Sequence, residues 1–444
     1  MIESVLVANR GEIARRIIRT GRRLGVRMIA VYSEADGLLP YVSEADDAIL
    51  IGAANPARSY RNVDALLAAA KSTGAQAVHP GYGFLAENAE FARTVEANGM
   101  VWVGPGADAI AAMGDKINAR NLMAAAGVPV APGTTEPVAH ADAALDAAAI
   151  IGYPVMVKAA AGGGGMGMAV AADEAALRTE LERVRGFAER MFGDPSVLIE
   201  RFFPTVRHVE VQILGLADGR VVALGERECS VQRRNQKVAE ESPSPAVSPE
   251  LRERMLAAGV LAGEAVGYRN AGTVECLLDP TTDEFFFLEM NTRLQVEHPV
   301  TELVYGIDLV EAQLRVASGL DVDLPAGGPR GHAIELRINA EDPKRFLPGP
   351  GTITTWVEPS GEGIRVDSGY AVGNTVTPNY DSLMAKLIVY GDTRAQAIDR
   401  AREAVAAFEV AGPKCNLPFF VELLINPAFV EGDYDTGLVA RMRG

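Results

Sequence analysis

The sequence predicts an α/β protein of more than one domain, opening with a parallel sheet interleaved with helices and closing in a mixed unit of shorter strands and helices. Three observations carry this. Over residues 1–112, short apolar runs (Val5–Ala8, Val26–Val31, Ala48–Ile51, Ala77–Val78 and Met100–Val103) alternate with helix-period stretches, the rhythm of parallel strands joined by crossover helices. The 444 residues exceed what one ordinary core organises, so two or three domains are expected. Beyond about residue 329, shorter strands are punctuated by Gly and Pro turns.

Composition narrows the class. Hydrophobic residues make up 48% of the chain, too many for general disorder. A formal net charge of −16 argues against a nucleic-acid or anionic-membrane surface. Cys229, Cys276 and Cys415 are odd in number and widely spaced, which suggests neither a disulfide framework nor a zinc site and fits a reducing cytoplasm. The first residues lack a basic segment leading into an apolar stretch, and no apolar run reaches the length of a membrane span.

In chain order, Asn9–Glu12 turns into a helix in which Ile13 and Ile17 share one face while Arg15, Arg16, Arg19, Arg22 and Arg23 occupy the others. The turn lacks GxGxxG, so a dinucleotide site is not supported, and the arginines read as a solvated or subunit-facing surface. His79-Pro-Gly-Tyr-Gly83 is a strand-end turn, for which a ligand edge and a plain turn both stand. A single helical run is expected from Ala107 to Ala126, carrying Lys116 and stopped at Gly127-Val-Pro129. After an alanine-rich helix, Tyr153–Lys158 reads as a strand leading into the loop Gly162, Gly163, Gly164, Gly165, Met166, Gly167 and Met168, with a second strand at Ala169-Val-Ala171. Consecutive glycines leave backbone N–H groups free to approach phosphate oxygens, and Lys158 would add charge. The run is not a Walker loop, and by itself it is also compatible with a plain loop.

An acidic helix over Asp173–Met191 precedes a strand, Val197–Phe203. Arg207–Ile213 follows with His208, Glu210 and Gln212 on one face. Glu226–Lys237 gathers polar and cationic groups in a hairpin ahead of a Pro- and Ser-rich loop. Helix 250–266 leads to strand Gly272–Leu278, where Glu275 sits among apolar neighbours and needs a partner. Glu284–Leu288 then runs into Glu289-Met-Asn-Thr-Arg-Leu-Gln-Val-Glu297, polar at every second position. An extended backbone would set Glu289, Asn291, Arg293, Gln295 and Glu297 on one face. A solvated edge strand is the bland alternative, but Asn and Gln are unusual choices for it, and the apolar run implies a buried sheet end. A single helix from past Val300 through Leu309 to Leu320, a linker at 325–329, a strand His332–Ile338 bearing Arg337, a strand Tyr380–Val389 and an amphipathic helix Arg394–Phe408 complete the chain.

Glycine loop, two lysines and strand-borne Glu275, Glu289 and Asn291 together describe a nucleoside-triphosphate site of the Mg²⁺ kind, because hard divalent ions take oxygen ligands. Lys237, Arg293 and Gln295 suit a small anionic acceptor, and Glu297 suits its base.

Several long motifs in one order add to this: Ala8–Ala14, His79–Asn88, the glycine loop, Ser230–Lys237, Glu289–Pro299 and Arg337–Asp342. With them the chain resembles biotin carboxylase, an ATP-grasp enzyme, over nearly its whole length. The resemblance implies a Rossmann-like parallel α/β domain at 1–112, an ATP-grasp domain at 113–328 with a mobile glycine-loop lid at about 131–203, and a mixed C-terminal domain at 329–444. It implies ATP among Lys116, Lys158, the four glycines, Glu200, Arg201, Phe202, Phe203, His208, Gln232 and Asn235, with Mg²⁺ or Mn²⁺ on Glu275, Glu289 and Asn291. Lys237, Arg293, Gln295 and Val296 would hold bicarbonate, Glu297 would deprotonate it, and Arg337 would stabilise the enolate of biotin. Met166, Arg201 and Asn235 depart from residues frequent in the family. Biotin would arrive on a carrier protein or domain, since no Met-Lys-Met site is present. A carboxyltransferase and a homodimer or larger assembly are the other implied partners. Two rivals are the synthetase half of carbamoyl-phosphate synthetase, which also phosphorylates bicarbonate, and a non-catalytic nucleotide-binding scaffold. The scaffold would leave the acid set incomplete, whereas Glu275, Glu289 and Glu297 are all present.

Overall fold

The structure, a computed structural model, describes residues 1–138, 140–160 and 167–443. Gly162, Gly163, Gly164, Gly165 and Met166 lie outside the described residues. Strands β1 (Ser4–Val7), β2 (Arg27–Ser33), β3 (Asp47–Gly52), β4 (Ala77–His79) and β5 (Val101–Trp102) form a parallel sheet in the order β3-β2-β1-β4-β5. Every residue of β1 is buried, as expected where helices cover both faces and the strand sequence is continuously apolar. On the helix Gly11–Arg23, Arg19, Arg22 and Arg23 are exposed as expected, but Arg16 departs from the solvated surface. Arg16 is buried and paired with Glu302 (2.7 Å) and Asp308 (2.9 Å), while Arg15 meets Glu44 at 2.6 Å. The acids come from far along the chain, which is why the local pattern could not show them.

The single helix expected over 107–126 is two, Ala107–Gly114 and Lys116–Ala125. Asp115 is extended between them, and its carboxylate accepts the N–H groups of Ile117 and Asn118, so it caps the second helix and sets Lys116 at its first position.

Next come β6 (Val155–Ala159), β7 (Met168–Ala171) and β8 (Val197–Arg201), an antiparallel sheet in the order β7-β6-β8. Helices Ala141–Ile151 and Glu174–Phe192 pack on it around a separate core that includes Val155, Val157, Leu177, Leu181 and Ile199. β6 and β7 flank the glycine loop as predicted.

The largest sheet contains β9 (Arg207–Gly215), β10 (Val221–Arg233), β11 (Gln236–Ser242), β12 (Asn270–Asp279), β13 (Glu284–Asn291) and β14 (His332–Asn339). β17 (Ile364–Ser368) and β19 (Leu383–Gly391) join it, while β15 (Gly351–Thr352) pairs with β18 (Thr375–Val376) and β16 (Thr355–Val357) with β20 (Glu409–Ala411) in two small separate sheets. The eight-stranded order is β13-β12-β9-β10-β11-β14-β19-β17, and all its pairs are antiparallel. Pairing of β11 with β14 carries the sheet across the linker at 325–329 without a break. The β10–β11 hairpin turns on Arg234 and Asn235, both at positive φ (51° and 64°), the mirror-image turn that matches strand twist.

The extended face predicted for 289–297 ends early. β13 stops at Asn291, the chain loops, and Glu297 occupies the N-cap of helix His298–Tyr305 with Pro299 in its first turn, a position that tolerates a missing N–H. Nor is β13 a buried sheet end. It is the sheet's edge strand, bridged at Phe287 by Val130. The single helix expected from past Val300 to Leu320 is two, because His298–Tyr305 ends at Gly306 (φ 68°) and a new helix runs over Leu309–Ala317. Among the described residues, no helix is long and apolar enough to cross a membrane.

Candidate active site

Antiparallel register lines up Arg227 of β10, Glu210 of β9, Glu275 of β12 and Glu289 of β13 as successive cross-strand partners. Facing partners project from the same side of a sheet, so the carboxylates of Glu210, Glu275 and Glu289 lie in one row. Such a row repels itself unless cations enter it. Arg227 Nε donates to Glu210 Oε1 at 2.6 Å, with its other nitrogens held by Gln212, Thr273 and Thr301. Lys237, just past the hairpin, brings its ammonium to 2.5 Å from Glu210, 2.8 Å from Glu275 and 2.7 Å from Glu297. Burial would lower the Lys237 ammonium, but these three acids raise it well above its ordinary value.

The loop after β13 closes the ring. Asn291 Nδ2 and Gln295 Nε2 both donate to Glu275 Oε1, at 2.8 and 2.9 Å. Arg293 donates to Asn291 Oδ1 (2.8 Å), to Gln295 Oε1 (2.9 Å) and to Glu87 Oε2 (2.9 Å). His208 Nε2 is 2.9 Å from Glu275 Oε2, and its Nδ1 is 3.0 Å from Gln232 Nε2. Burial disfavours the His208 cation, yet Glu275 raises it above the usual imidazole range. Arg337 of β14 donates to Glu297 Oε2 at 3.0 Å. Burial would push the Glu297 carboxyl up, but Lys237, Arg337 and Arg227 hold it well below the usual carboxylate range. The carbonyl of Val296 accepts from the buried Lys386 at 2.9 Å.

Of these groups His208, Lys237, Glu275, Asn291, Arg293, Gln295, Val296 and Arg337 line a cleft of about 770 Å³ together with Tyr82, Glu12 and Asp381, while Glu210 and Glu297 are fully buried. A smaller adjoining pocket of about 210 Å³ joins Lys116 to Glu289 and Asn291. The structure therefore gathers Lys237, Glu275, Asn291, Arg293, Gln295, Val296, Glu297, Arg337, His208 and Gln232 around one centre, with Lys116 and Glu289 beside it and Asn235 on the exposed hairpin tip. It keeps a second group apart on the three-stranded sheet. There Lys158 is ion-paired with Glu200, and Arg201 donates to the carbonyl of Ile151 at 3.2 Å. Beyond the sheet's end the Phe202 N–H reaches the carbonyl of Pro154, and Phe203 stacks on Phe286 with ring centroids 4.8 Å apart.

The donor set fits a hard divalent cation. Glu275 and Glu289 are adjacent carboxylates on the cleft, and the Glu289 carboxyl is pushed up by burial and by Glu275, the mark of a pair short of positive charge. Asn291 could add its amide oxygen, which Arg293 holds here. Sequence reasoning missed Glu87, Tyr82, Glu12, Arg227 and Asp381. Glu87 and Tyr82 fall within the His79–Asn88 stretch already singled out, whereas nothing local marks Arg227 as the counter-ion of Glu210.

Comparison with known proteins bears directly on this site. Residues 1–110 match the family domain described as biotin carboxylase, N-terminal domain; residues 115–324 match carbamoyl-phosphate synthase L chain, ATP binding domain; and residues 335–441 match biotin carboxylase C-terminal domain. Biotin carboxylase 2 of Bacillus subtilis is 50% identical over 438 residues, covering 98% of this chain and 98% of that protein. The structure superposes on biotin carboxylase of Campylobacter jejuni in a nucleotide complex with a TM-score of 0.95 and 42% identity, covering 99% of each chain. It matches the biotin carboxylase domain of 2-oxoglutarate carboxylase from Hydrogenobacter thermophilus with a TM-score of 0.94 and 42% identity, covering 99% of this chain and 98% of that one; that domain is a dimer in complex with magnesium ADP, ADP and bicarbonate. Both the sequence identity along the full length and the shared three-part architecture lead to one conclusion: the chain belongs to the biotin carboxylase family.

Proposed function

We propose that this chain uses ATP and bicarbonate to carboxylate N1′ of a biotin carried on a separate protein or domain, forming ADP and phosphate as the first half-reaction of a biotin-dependent carboxylase. The observation that carries the reading is the meeting of Lys237, Glu297 and Arg337 from three separate chain segments, with Lys237 and Arg337 lining the cleft and Glu297 buried against both.

Bicarbonate suits Lys237, Arg293, Gln295 and the Val296 backbone, because a planar oxyanion is matched by a guanidinium and an amide. Glu297 is ionised at neutral pH and so can accept the bicarbonate proton. While Lys237 and Arg337 are committed to it, it is a weak base. An entering bicarbonate competes for Lys237, and the proton affinity of Glu297 rises. The deprotonated oxygen attacks the γ-phosphorus of ATP, the bond to ADP breaks, and carboxyphosphate forms. This collapses to CO₂ and phosphate; the phosphate takes the N1′ proton and nitrogen attacks CO₂. Arg337 faces the ureido oxygen as it gains negative charge. Mg²⁺ or Mn²⁺ held by Glu275, Glu289 and Asn291 would supply positive charge beside the phosphates.

Lys116, Lys158, Glu200, Arg201, Phe202, Phe203, His208, Gln232 and Asn235, with Gly162 to Gly165, would surround ATP. Domains are assigned to 1–112, 113–328 and 329–444, with the separate core of β6–β8 supporting a lid at about 131–203. A carrier, a carboxyltransferase, a homodimer or larger assembly and a cytoplasmic location complete the reading. Against the carbamoyl-phosphate synthetase alternative stand the matches on either side of the central segment, both described as biotin carboxylase domains, and Arg337 comes from the C-terminal one. ATP cleavage measured with and without bicarbonate and biotin tests the proposal. Turnover should require bicarbonate and rise on adding free biotin; turnover indifferent to biotin would reject it.

A further inference from the structure

Register between β11 and β14 sets Glu240 directly opposite Glu335, so both side chains leave the sheet on one face. Both are buried, at 1% and 0% exposure. Among the described residues, none of their carboxyl oxygens accepts a well-directed hydrogen bond. Glu240 Oε1 has an ionic contact, Arg337 Nη2 at 2.5 Å, and the same nitrogen serves Glu297 at 3.0 Å.

The other charged groups facing the pair are already committed. Lys237, on the strand of Glu240, serves Glu210, Glu275 and Glu297. Lys386, from β19, holds the Val296 carbonyl and lies 3.3 Å from Glu12. Cys229 of β10, which feels the Glu240 charge, is a thiol pushed well above its usual range by burial. Glu240 and Glu297 therefore share the Arg337 guanidinium, and Glu335, opposite Glu240, has no ion pair among the described residues. Two carboxylates side by side in a dry interior do not both stay ionised. Burial pushes the Glu240 carboxyl up to about 7 and that of Glu335 well above the usual range, with Arg337 opposing the shift at Glu240 and Lys386 opposing it at Glu335.

Resting on the function proposed above, we infer that Glu240 and Glu335 are positioning residues that share a proton and thereby set how much of the Arg337 charge is offered to the ureido oxygen. With Glu240 neutral, Arg337 keeps only Glu297 as a partner and its charge is available to a developing oxyanion. With Glu240 ionised, a carboxylate in contact with the guanidinium competes with that oxyanion. The sign follows: the biotin-dependent step is favoured below the Glu240 pKa and weakened above it, while the bicarbonate step, which needs Glu297, is not.

The test uses the full chain and two readouts. Infrared difference spectroscopy of the wild type, between pH 6 and 9, should show a protonated carboxyl C=O band that persists at about pH 7 and is lost in the E240Q/E335Q double variant, since an ordinary Glu is fully ionised there. The ratio of biotin-dependent to biotin-independent ATP cleavage should fall about tenfold as pH rises through about 7 in the wild type. E240Q should flatten that ratio, and E335Q should move its break to lower pH by removing the acidic neighbour. A merely structural pair would lower both activities in parallel at every pH, and that result overturns the proposal. So does a wild type without the band, which needs no variant to observe. Wild-type turnover indifferent to biotin would instead reject the functional reading on which the proposal rests.

Discussion

Two buried charge networks in this molecule look alike in composition and differ in closure. In the first, Glu302 accepts from Arg16 and Arg365 at 2.7 Å each and from the Leu309 N–H at 2.7 Å, while Arg365 forks onto Asp367 at 3.0 and 2.7 Å. Both oxygens of each acid have donors, none of these residues borders the cleft, and the network joins the N-terminal helix to the C-terminal sheet. In the second, three acids converge on Lys237, two further carboxyls lack donors, and the network reaches a large cleft through Lys237, Glu275 and Arg337. Burial and ion pairing are common to both. An excess of carboxyls over cations, facing space, belongs only to the second, and it is this imbalance that an anion, a divalent cation or a proton can exploit.

The contrast is open to attack by substitution. Glu297→Gln removes a base while keeping shape and hydrogen-bonding capacity, so bicarbonate-dependent ATP cleavage should fall by about two to four orders of magnitude. Nucleotide affinity, measured by calorimetry, should be retained; a matching loss of binding would show that Glu297 is structural. Glu302→Gln strikes the closed network instead. It should destabilise the protein by about 3 kcal/mol, seen as a lower unfolding midpoint, because Arg16 and Arg365 lose a buried counter-charge. Its kcat at a temperature well below that midpoint should change by no more than about twofold. A large kcat effect without destabilisation would erase the distinction between the two networks.

How much of this was legible beforehand depended on the range of the interactions. The parallel sheet, the strands flanking the glycine loop and the need of Glu275 for partners all follow from patterns within a few residues, and all are present. Polar alternation over 289–297 correctly picked out residues that converge, yet for a partly wrong reason. The strand ends at Asn291, and Arg293, Gln295 and Glu297 reach the centre from a loop and a helix N-cap. What period-2 counting cannot supply is cross-strand register. Alignment of Glu210, Glu275 and Glu289, and of Glu240 with Glu335, requires pairings between segments tens of residues apart. The buried role of Arg16 was hidden for the same reason, since its acids lie almost three hundred positions away. Motif resemblance supplied the roles that periodicity could not, and it reached the residues of the glycine loop that lie outside the described structure.

Central to the account is that Glu297 serves bicarbonate and Arg337 serves biotin, even though the two side chains touch. Because they touch, the ratio of the two activities is more informative than either rate. Arg337→Ala should lower biotin carboxylation by about 3 kcal/mol of transition-state stabilisation. Slow biotin-independent, bicarbonate-dependent ATP cleavage should remain measurable in that variant. Glu297→Gln should lose both activities together. If Arg337→Ala also lost ATP cleavage and biotin carboxylation in equal proportion, the division of labour between the two residues would be contradicted.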